Sequence, residues 1–267
     1  MKYFDAHCHL QFESFYDDQQ EVIAKMKEEG IGGLVVGVDL ESSKKAVELA
    51  EKHDHLWASI GLHPNREKDE RYDISYYRPL AKSKKVVAVG GCGLDYYRPQ
   101  EVNDEVKKKQ KAILQDQIEL AVELDKPLVI HSRPSKGTMD AYQDLIGILK
   151  EAKAKHPNLR GDIHFFVGGV PETCEFVALG FIISFTAVIT FARDYDEVIR
   201  QAPLTSILSE TDSPYVPPTN RARGSRNDPL AVVDVVSKIA TIRSEDPETV
   251  RQILLKNAQN LFKIEHI

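Results

Sequence analysis

The sequence predicts an α/β protein in which eight parallel strands, alternating with helices, form a single-domain (β/α)8 TIM-like barrel. Short apolar runs alternate with longer amphipathic segments from one end of the chain to the other. The apolar runs are rich in Val, Ile and Leu, as expected of strands buried on both faces of a parallel sheet. The chain has 267 residues, a length that suits one barrel, so we expect one domain over residues 1–267.

The apolar runs give the predicted strands in order. They are Tyr3–Ala6, Gly33–Val38, Leu56–Ile60, Val86–Val89, Pro127–Ile130, Asp162–Phe165, Phe181–Ser184 and Ser206–Leu208. The amphipathic segments give the predicted helices, which are Asp17–Glu29, Ser42–His53, Glu105–Leu124, Met139–His156, Thr173–Leu179, Asp194–Gln201, Leu230–Ile242 and Pro247–Phe262. A doubly wound open sheet is the competing architecture. It is weakened because no G-x-G-x-x-G motif follows the first strand.

Composition limits the classes of partner. The formal net charge of -6 speaks against a broad, sequence-independent hold on duplex nucleic acid, although a local site for a strand end or a small anion is compatible with it. The cysteines Cys8, Cys92 and Cys174 are odd in number and scattered, so we expect no disulfide framework. No signal peptide and no membrane span are evident, and nothing indicates an obligate protein partner. We therefore expect a cytoplasmic protein.

The string Asp5-Ala6-His7-Cys8-His9 closes the first predicted strand. Side chains two residues apart in a strand point the same way, so His7 and His9 are expected to project together. Two adjacent imidazoles are suitable ligands for a borderline-soft divalent metal. The pair alone is a weak signal, because two histidines at a strand end often bind nothing.

Further polar residues stand at the ends of other predicted strands. They are His63, His131, His164, Glu210 and Asp212. The C-terminal strand ends of a barrel converge on one rim, so these distant residues are expected to meet there. Imidazole and carboxylate ligands suit zinc, manganese and related ions, which activate bound water for hydrolysis. Asp212 is placed to accept a proton from that water, to bind the metal, or to do both.

These residues lie in strings that resemble the TatD-type metal-dependent hydrolases, a branch of the amidohydrolase-like barrels. The strings are Phe4-Asp5-Ala6-His7-Cys8-His9-Leu10, Gly61-Leu62-His63-Pro64, Gly93-Leu94-Asp95-Tyr96-Tyr97, Pro127-Leu128-Val129-Ile130-His131-Ser132-Arg133 and Glu210-Thr211-Asp212-Ser213-Pro214-Tyr215. The segment from Arg223 to Pro229 resembles the family's loop after strand eight. The resemblance therefore extends along the whole chain.

The resemblance implies a barrel that binds up to two divalent ions (Zn, Mn or Mg) and cleaves phosphodiesters, typically as a deoxyribonuclease at single-stranded or frayed nucleic-acid ends. It implies one ion on His7, His9 and Asp212, a second on His131 and His164, and a substrate contact at His63. Arg133 and Arg223 are candidate phosphate contacts, since guanidinium forks fit phosphate oxygens, although solvated loop arginines are equally common. Asp95 and Glu210 are expected to hold loops or ligands in place without touching the metal. Tyr96, Tyr97 and Tyr215 are candidate stacking surfaces for a base.

One position departs from the family pattern. The family's fourth strand reads Gly-Glu-x-Gly-Leu-Asp, with the glutamate bridging two metals, whereas this chain has Gly90-Gly91-Cys92-Gly93-Leu94-Asp95. Gly91 offers no ligand, and strand alternation turns Cys92 to the opposite face, so we expect Cys92 to be a packed, inert residue. We expect an intact first metal site and a weak second site, filled mainly when a phosphate or another anion bridges.

Three functions remain open at this point. The leading hypothesis is a cytoplasmic phosphodiesterase that acts at nucleic-acid ends. The second keeps the barrel and metal but acts on aminoacyl-tRNA esters, lactones or amides, because no specificity loop excludes those substrates. The third is a metal- or phosphate-binding protein in which catalysis is weakened by the glycine at position 91.

Overall fold

Eight parallel strands form one sheet in the structure, a computed structural model that describes residues 1–66, 71–97, 102–222 and 224–264. The strands are β1 Tyr3–Cys8, β2 Ile31–Val36, β3 Leu56–Ile60, β4 Val86–Asp95, β5 Leu128–Arg133, β6 Gly161–His164, β7 Ile182–Phe185 and β8 Ile207–Ser209. They are hydrogen-bonded to one another in chain order. A doubly wound sheet would reverse that order, so the order confirms the predicted (β/α)8 barrel.

The sheet curls until its first and last strands meet. Cys8 forms a parallel bridge with Ser213, beyond the end of β8. The backbone N–H of Asp212 donates to the carbonyl of His7 at 2.9 Å, and the N–H of His9 donates to the carbonyl of Ser213 at 2.8 Å. We call this junction between β1 and the segment 209–213 the seam. The barrel is nearly closed because the seam joins its two edges.

Nine described helices pack outside the strands or across the end of the barrel. They are α1 Gln19–Glu29, α2 Leu40–Lys52, α3 Ile74–Tyr77, α4 Asp104–Glu123, α5 Asp140–Lys155, α6 Val170–Ala178, α7 Asp196–Gln201, α8 Val232–Arg243 and α9 Pro247–Phe262. Side chains cap several of them, as Asp39 does for α2 by accepting from the N–H of Ser42 at 2.7 Å. Within the described ranges, no helix is both long and apolar enough to cross a membrane.

The fourth strand differs most from the prediction. It was expected over Val86–Val89 but continues to Asp95, because the glycine-rich segment keeps pairing with β5 up to Asp95 opposite Arg133. Among the described residues, the one α-helix in the crossover from β3 to β4 is α3, whose four residues make it shorter than the α-helices of the other units. The extended β4 carries Asp95 to the rim where β5 ends.

Strand alternation divides the buried side chains between two clusters. On β2, Leu34 and Val36 belong to a smaller cluster, whereas Val35 between them belongs to the larger one. In the smaller cluster the ring of Phe4 lies 5.8 Å from that of Phe262, near the end of α9. Phe4 is the second residue of β1, so α9 covers the N-terminal end of the strands. The opposite, C-terminal end holds the predicted site, and we call it the mouth.

Candidate metal centre

Three predicted ligands meet at the seam. The Nε2 atoms of His7 and His9 are 3.2 Å apart, and Oδ1 of Asp212 lies 3.8 Å and 3.4 Å from them respectively. Nδ1 of His9 is 2.8 Å from the carbonyl oxygen of Val36, which leaves Nε2 directed at the other two residues. The seam itself produces this arrangement, because the backbone of Asp212 is hydrogen-bonded to that of His7.

Glu210 lies between His7 and His164, completely buried. Its Oε2 is 2.9 Å from Nδ1 of His164 and 3.8 Å from Nδ1 of His7, and its Oε1 accepts from the N–H of Phe165 at 2.6 Å. The rings of His7 and His164 are stacked with centroids 3.6 Å apart. Nδ1 of His7 is buried without a hydrogen-bond partner. One carboxylate therefore faces both imidazoles.

His131 and His164, the pair expected to share a second ion, lie close to each other. The ring centroids of these histidines are 5.9 Å apart. Nε2 of His131 lies 3.0 Å from Oδ2 of Asp95, which also accepts from the side-chain amide of Asn65 at 2.9 Å. Among the described residues, two groups have ligand atoms within 4.8 Å of one another, namely His7, His9 and Asp212, and His7, His164 and Glu210. His131 is in neither group, so its role as a ligand stays a prediction.

The expected substrate contacts also lie near the mouth. The ring of His63 is 4.4 Å from that of His131. The guanidinium of Arg133 stacks over the ring of Tyr97, 3.7 Å from its centroid. Arg223 falls outside the described residues. His63 and Arg133 therefore sit next to the imidazole cluster, and their contact with a substrate stays a prediction.

Burial lowers the pKa of three imidazoles in the cluster. Burial, followed by the neighbouring imidazoles of His164 and His9, holds the pKa of His7 well below its ordinary value. Burial also lowers the pKa of His63 and of His164. These imidazoles are therefore neutral at pH 7, and neutral imidazole is the form that binds a metal.

The pKa values of two buried carboxyls at the mouth, Glu210 and Asp95, shift in opposite directions. Burial, together with the charge of Asp212, raises the pKa of Glu210 well above its usual range. Burial would also raise the pKa of Asp95, but the hydrogen bond and charge interaction with His131 outweigh it and hold that pKa below its ordinary value. Asp95 is therefore ionised beside His131, whereas Glu210 keeps its proton to a higher pH than an ordinary glutamate does.

The donor set at the seam suits a divalent cation. Two imidazole nitrogens face each other at 3.2 Å, and a carboxylate oxygen lies beside them. The unpartnered Nδ1 of His7 is a further polar atom without a hydrogen bond. Nitrogen and oxygen donors of this kind are typical of zinc and manganese sites.

Comparison with known proteins supports a divalent-metal site at the mouth. A family described as TatD related DNase matches residues 4–263. The chain is 35% identical to the uncharacterized metal-dependent hydrolase YabD of Bacillus subtilis, covering 98% of this chain and 99% of YabD. It is 33% identical to the uncharacterized metal-dependent hydrolase YcfH of Escherichia coli, covering 98% and 96% of the two chains.

Solved structures give the same answer. The crystal structure of YjjV, a TatD homologue from Escherichia coli, superposes with a TM-score of 0.87 at 29% identity and covers 99% of both chains. The chain belongs to the TatD family. It is accordingly a metal-dependent hydrolase with a TIM-type barrel, and its buried histidine and carboxylate cluster indicates a divalent metal.

The glycine that departs from the TatD pattern has room for a side chain. A Cβ atom at Gly90 or Gly93 would lie 2.1 Å or 1.8 Å from a carbonyl oxygen of β5, and both residues have a positive φ. A Cβ atom at Gly91 would be in ordinary contact with Val36 at 3.6 Å and with the ring of His63 at 4.0 Å. Position 91 therefore has room for a side chain, which would lie near the ring of His63.

Cys92, the next residue, packs in the larger apolar cluster. Its Sγ lies 3.6 Å from the carbonyl oxygen of Val129, and burial raises the pKa of the thiol to about 12. A thiol with so high a pKa does not ionise at pH 7, and Cys92 is in neither group of candidate ligands among the described residues. It has the surroundings expected of an inert core residue.

Sequence reasoning assigned no role to two buried polar residues that position the TatD site. Asp5 is buried and accepts from the N–H of Thr211 at 2.9 Å and from its hydroxyl at 2.6 Å. Gln117 on α4 holds the segment before His63, since it bonds the N–H of Leu62 at 2.8 Å and its carbonyl at 3.0 Å. Two features of the sequence could have indicated these roles. Asp5 has the period-two spacing with His7, and Gln117 lies on the apolar face of a helix.

Proposed function

We propose that this TatD protein is a divalent-metal-dependent phosphodiesterase that removes nucleotides from the ends of nucleic-acid strands, as a deoxyribonuclease. The observation that carries the proposal is the group formed by His7, His9 and Asp212 at the barrel mouth, with ligand atoms within 4.8 Å of one another. The description of the matching family as TatD related DNase supports the choice of a phosphodiester over other hydrolysable bonds.

A bound zinc, manganese or magnesium ion would polarise the phosphoryl oxygen and activate a water molecule for attack. The residues of the chain would supply the remaining functions. His7 and His9 would direct ring nitrogens toward the ion, while Asp212 would provide a carboxylate that also accepts the proton lost by the attacking water. Arg133, exposed at the rim, would pair with a phosphate oxygen of the strand. The second ion would be weakly held because Gly91 supplies no bridging carboxylate.

The location that we propose is the cytoplasm. The three cysteines are unpaired, Cys8 and Cys92 being buried and Cys174 exposed. Unpaired thiols are typical of proteins kept in a reducing compartment.

The proposal is tested with end-labelled single-stranded oligodeoxynucleotides and added manganese, magnesium or zinc. We expect a ladder of products shortened from one end, formed only with metal. Asp212→Asn should slow product formation by about a hundredfold or more, since a positioned proton acceptor contributes rate factors of that size. Asp116→Asn serves as the matched control, because it changes an exposed residue of α4, and it should leave the rate unchanged.

Two outcomes would contradict the proposal. Hydrolysis of lactones or aminoacyl-tRNA esters without any hydrolysis of DNA would assign the site to another ester substrate. Tight binding of DNA ends without product, even with manganese present, would mean that the chain binds but does not cleave.

A further inference from the structure

The exposed large hydrophobic side chains of the described residues concentrate at the mouth. They are Tyr16, Tyr76, Tyr97, Phe191 and Tyr215, each between 41% and 61% exposed. Four of them follow the C-terminal ends of β1, β4, β7 and β8, which meet on the face that carries the candidate metal centre. Tyr76 on α3 is the exception. Two residues later, Arg78 forms an ion pair with Glu123, the last residue of α4, at the end of that helix away from the mouth.

Tyr97 is tied to one side of the imidazole cluster. Its backbone N–H donates to Oδ1 of Asp95 at 3.0 Å, and Oδ2 of the same carboxylate lies 3.0 Å from Nε2 of His131. The guanidinium of Arg133 lies over the ring, 3.7 Å from its centroid. Because an aromatic ring and a guanidinium are both flat, and the guanidinium is positively charged, the pair forms a cationic stacking surface.

Tyr215 is tied to the other side. Its backbone N–H donates to the carbonyl of Asp212 at 2.9 Å, and its ring meets that of His9 edge-on, with centroids 6.2 Å apart. Half of its side chain is exposed. A flat aromatic group is thus anchored beside each end of the cluster, one next to His131 and one next to His9.

We propose that Tyr97 with Arg133, and Tyr215, form two nucleobase subsites that flank the scissile phosphodiester. This inference rests on the proposed nuclease function and adds the form of its substrate, a strand whose bases on either side of the cut are unpaired. Bases in a duplex keep their faces stacked inside the helix, so they cannot lie on these rings. The net charge of -6 gives little general attraction for phosphates, so base stacking supplies much of the affinity.

The test is equilibrium binding of a fluorescently labelled single-stranded oligodeoxynucleotide, compared with an abasic oligonucleotide of the same length. We expect the abasic strand to bind the wild-type protein about tenfold or more weakly, since stacking on an aromatic side chain contributes this much per base. Tyr97→Leu and Tyr215→Leu should each weaken binding of the normal strand about tenfold while leaving binding of the abasic strand unchanged. Tyr97→Phe and Tyr215→Phe keep the ring and should bind like the wild type.

Tyr76→Leu is the matched control, an exposed tyrosine at the far end of the barrel, and should change neither affinity. Equal binding of normal and abasic strands by the wild-type protein would overturn the inference without any variant being needed. Hydrolysis of DNA is measured separately. Cleavage without base-dependent binding would refute the subsites and keep the nuclease, whereas base-dependent binding without cleavage would keep the subsites and refute the nuclease.

Discussion

At the residue scale, the three glycines of β4 meet different constraints. Gly90 and Gly93 have a positive φ and lie against carbonyl oxygens of β5, so a side chain at either position would collide with the neighbouring strand. Gly91 has no such contact, and the space beside it leads toward the ring of His63. The backbone therefore does not require glycine at position 91. The lack of a carboxylate there changes the ligands that the site offers to a metal, and strand formation does not explain it.

Gly91→Glu should increase the amount of divalent metal that the purified protein holds and should raise the rate of hydrolysis. The added carboxylate would offset part of the repulsion between two cations and would give the second ion a negative oxygen ligand. Metal content after dialysis, measured by elemental analysis, checks this. Gly91→Ala adds the Cβ atom without the carboxylate and should hold the same metal as the wild type. Equal metal content in the two variants would show that position 91 does not provide a ligand.

At the element scale, the strands were largely predictable because each is a continuous apolar run, whereas their ends were not. β4 was expected to stop at Val89, since glycines usually interrupt a strand, but pairing with β5 carries it to Asp95. That extension places Oδ2 of Asp95 3.0 Å from Nε2 of His131. Local patterns identify which residues reach the rim. The partners that they meet there depend on strand register, which a single sequence does not contain.

The loop after β8 is held to the start of α1 by one ion pair between distant residues. Arg226 donates from both terminal nitrogens to the carboxylate of Asp18, at 2.6 Å and 2.5 Å, and also to the carbonyl of Ser14 at 2.6 Å. The hydrogen bond from Arg226 is the largest cause that lowers the pKa of Asp18. Both segments border the mouth, so this pair links two loops around the site.

Asp18→Asn should lower the free energy of unfolding by about 1 kcal/mol near neutral pH, since the pair is partly exposed. The folded pKa is below the unfolded value of about 3.9, so the stabilisation is complete above that value and is lost as the pH falls through the folded pKa. Urea unfolding at decreasing pH should therefore show the two proteins converging. Arg226→Gln, which also loses the hydrogen bond to the carbonyl of Ser14, should give at least this loss near neutral pH, and adding Asp18→Asn to it should give no further loss. A difference independent of pH would mean that the charge of Asp18 contributes nothing.

At the scale of the whole molecule, barrel closure and the first candidate metal group involve the same residues. The seam joins β1 to the segment after β8 through the backbones of His7, His9 and Asp212, the three residues of the first candidate metal group. Asp5 and Thr211 add buried side-chain hydrogen bonds to the seam. A metal that binds only the folded seam stabilises the closed barrel, and a loosened seam weakens the metal site in return.

Thr211→Val, which keeps the shape of the side chain, should lower both stability and metal affinity. It removes the hydroxyl that donates to Asp5 at 2.6 Å and that accepts from the N–H of Ser213 at 3.1 Å, leaving buried polar groups unpaired at a cost of about 2–3 kcal/mol. Urea unfolding of the metal-free protein and zinc titration measure the two effects.

Thr211→Ser keeps the hydroxyl and should restore both stability and metal affinity. Thr173→Val removes another buried hydroxyl, on α6 away from the seam, which donates to the carbonyl of Gly169 just before that helix, and should lower stability alone. If Thr211→Val lost stability with unchanged zinc affinity, closure and metal binding would be independent.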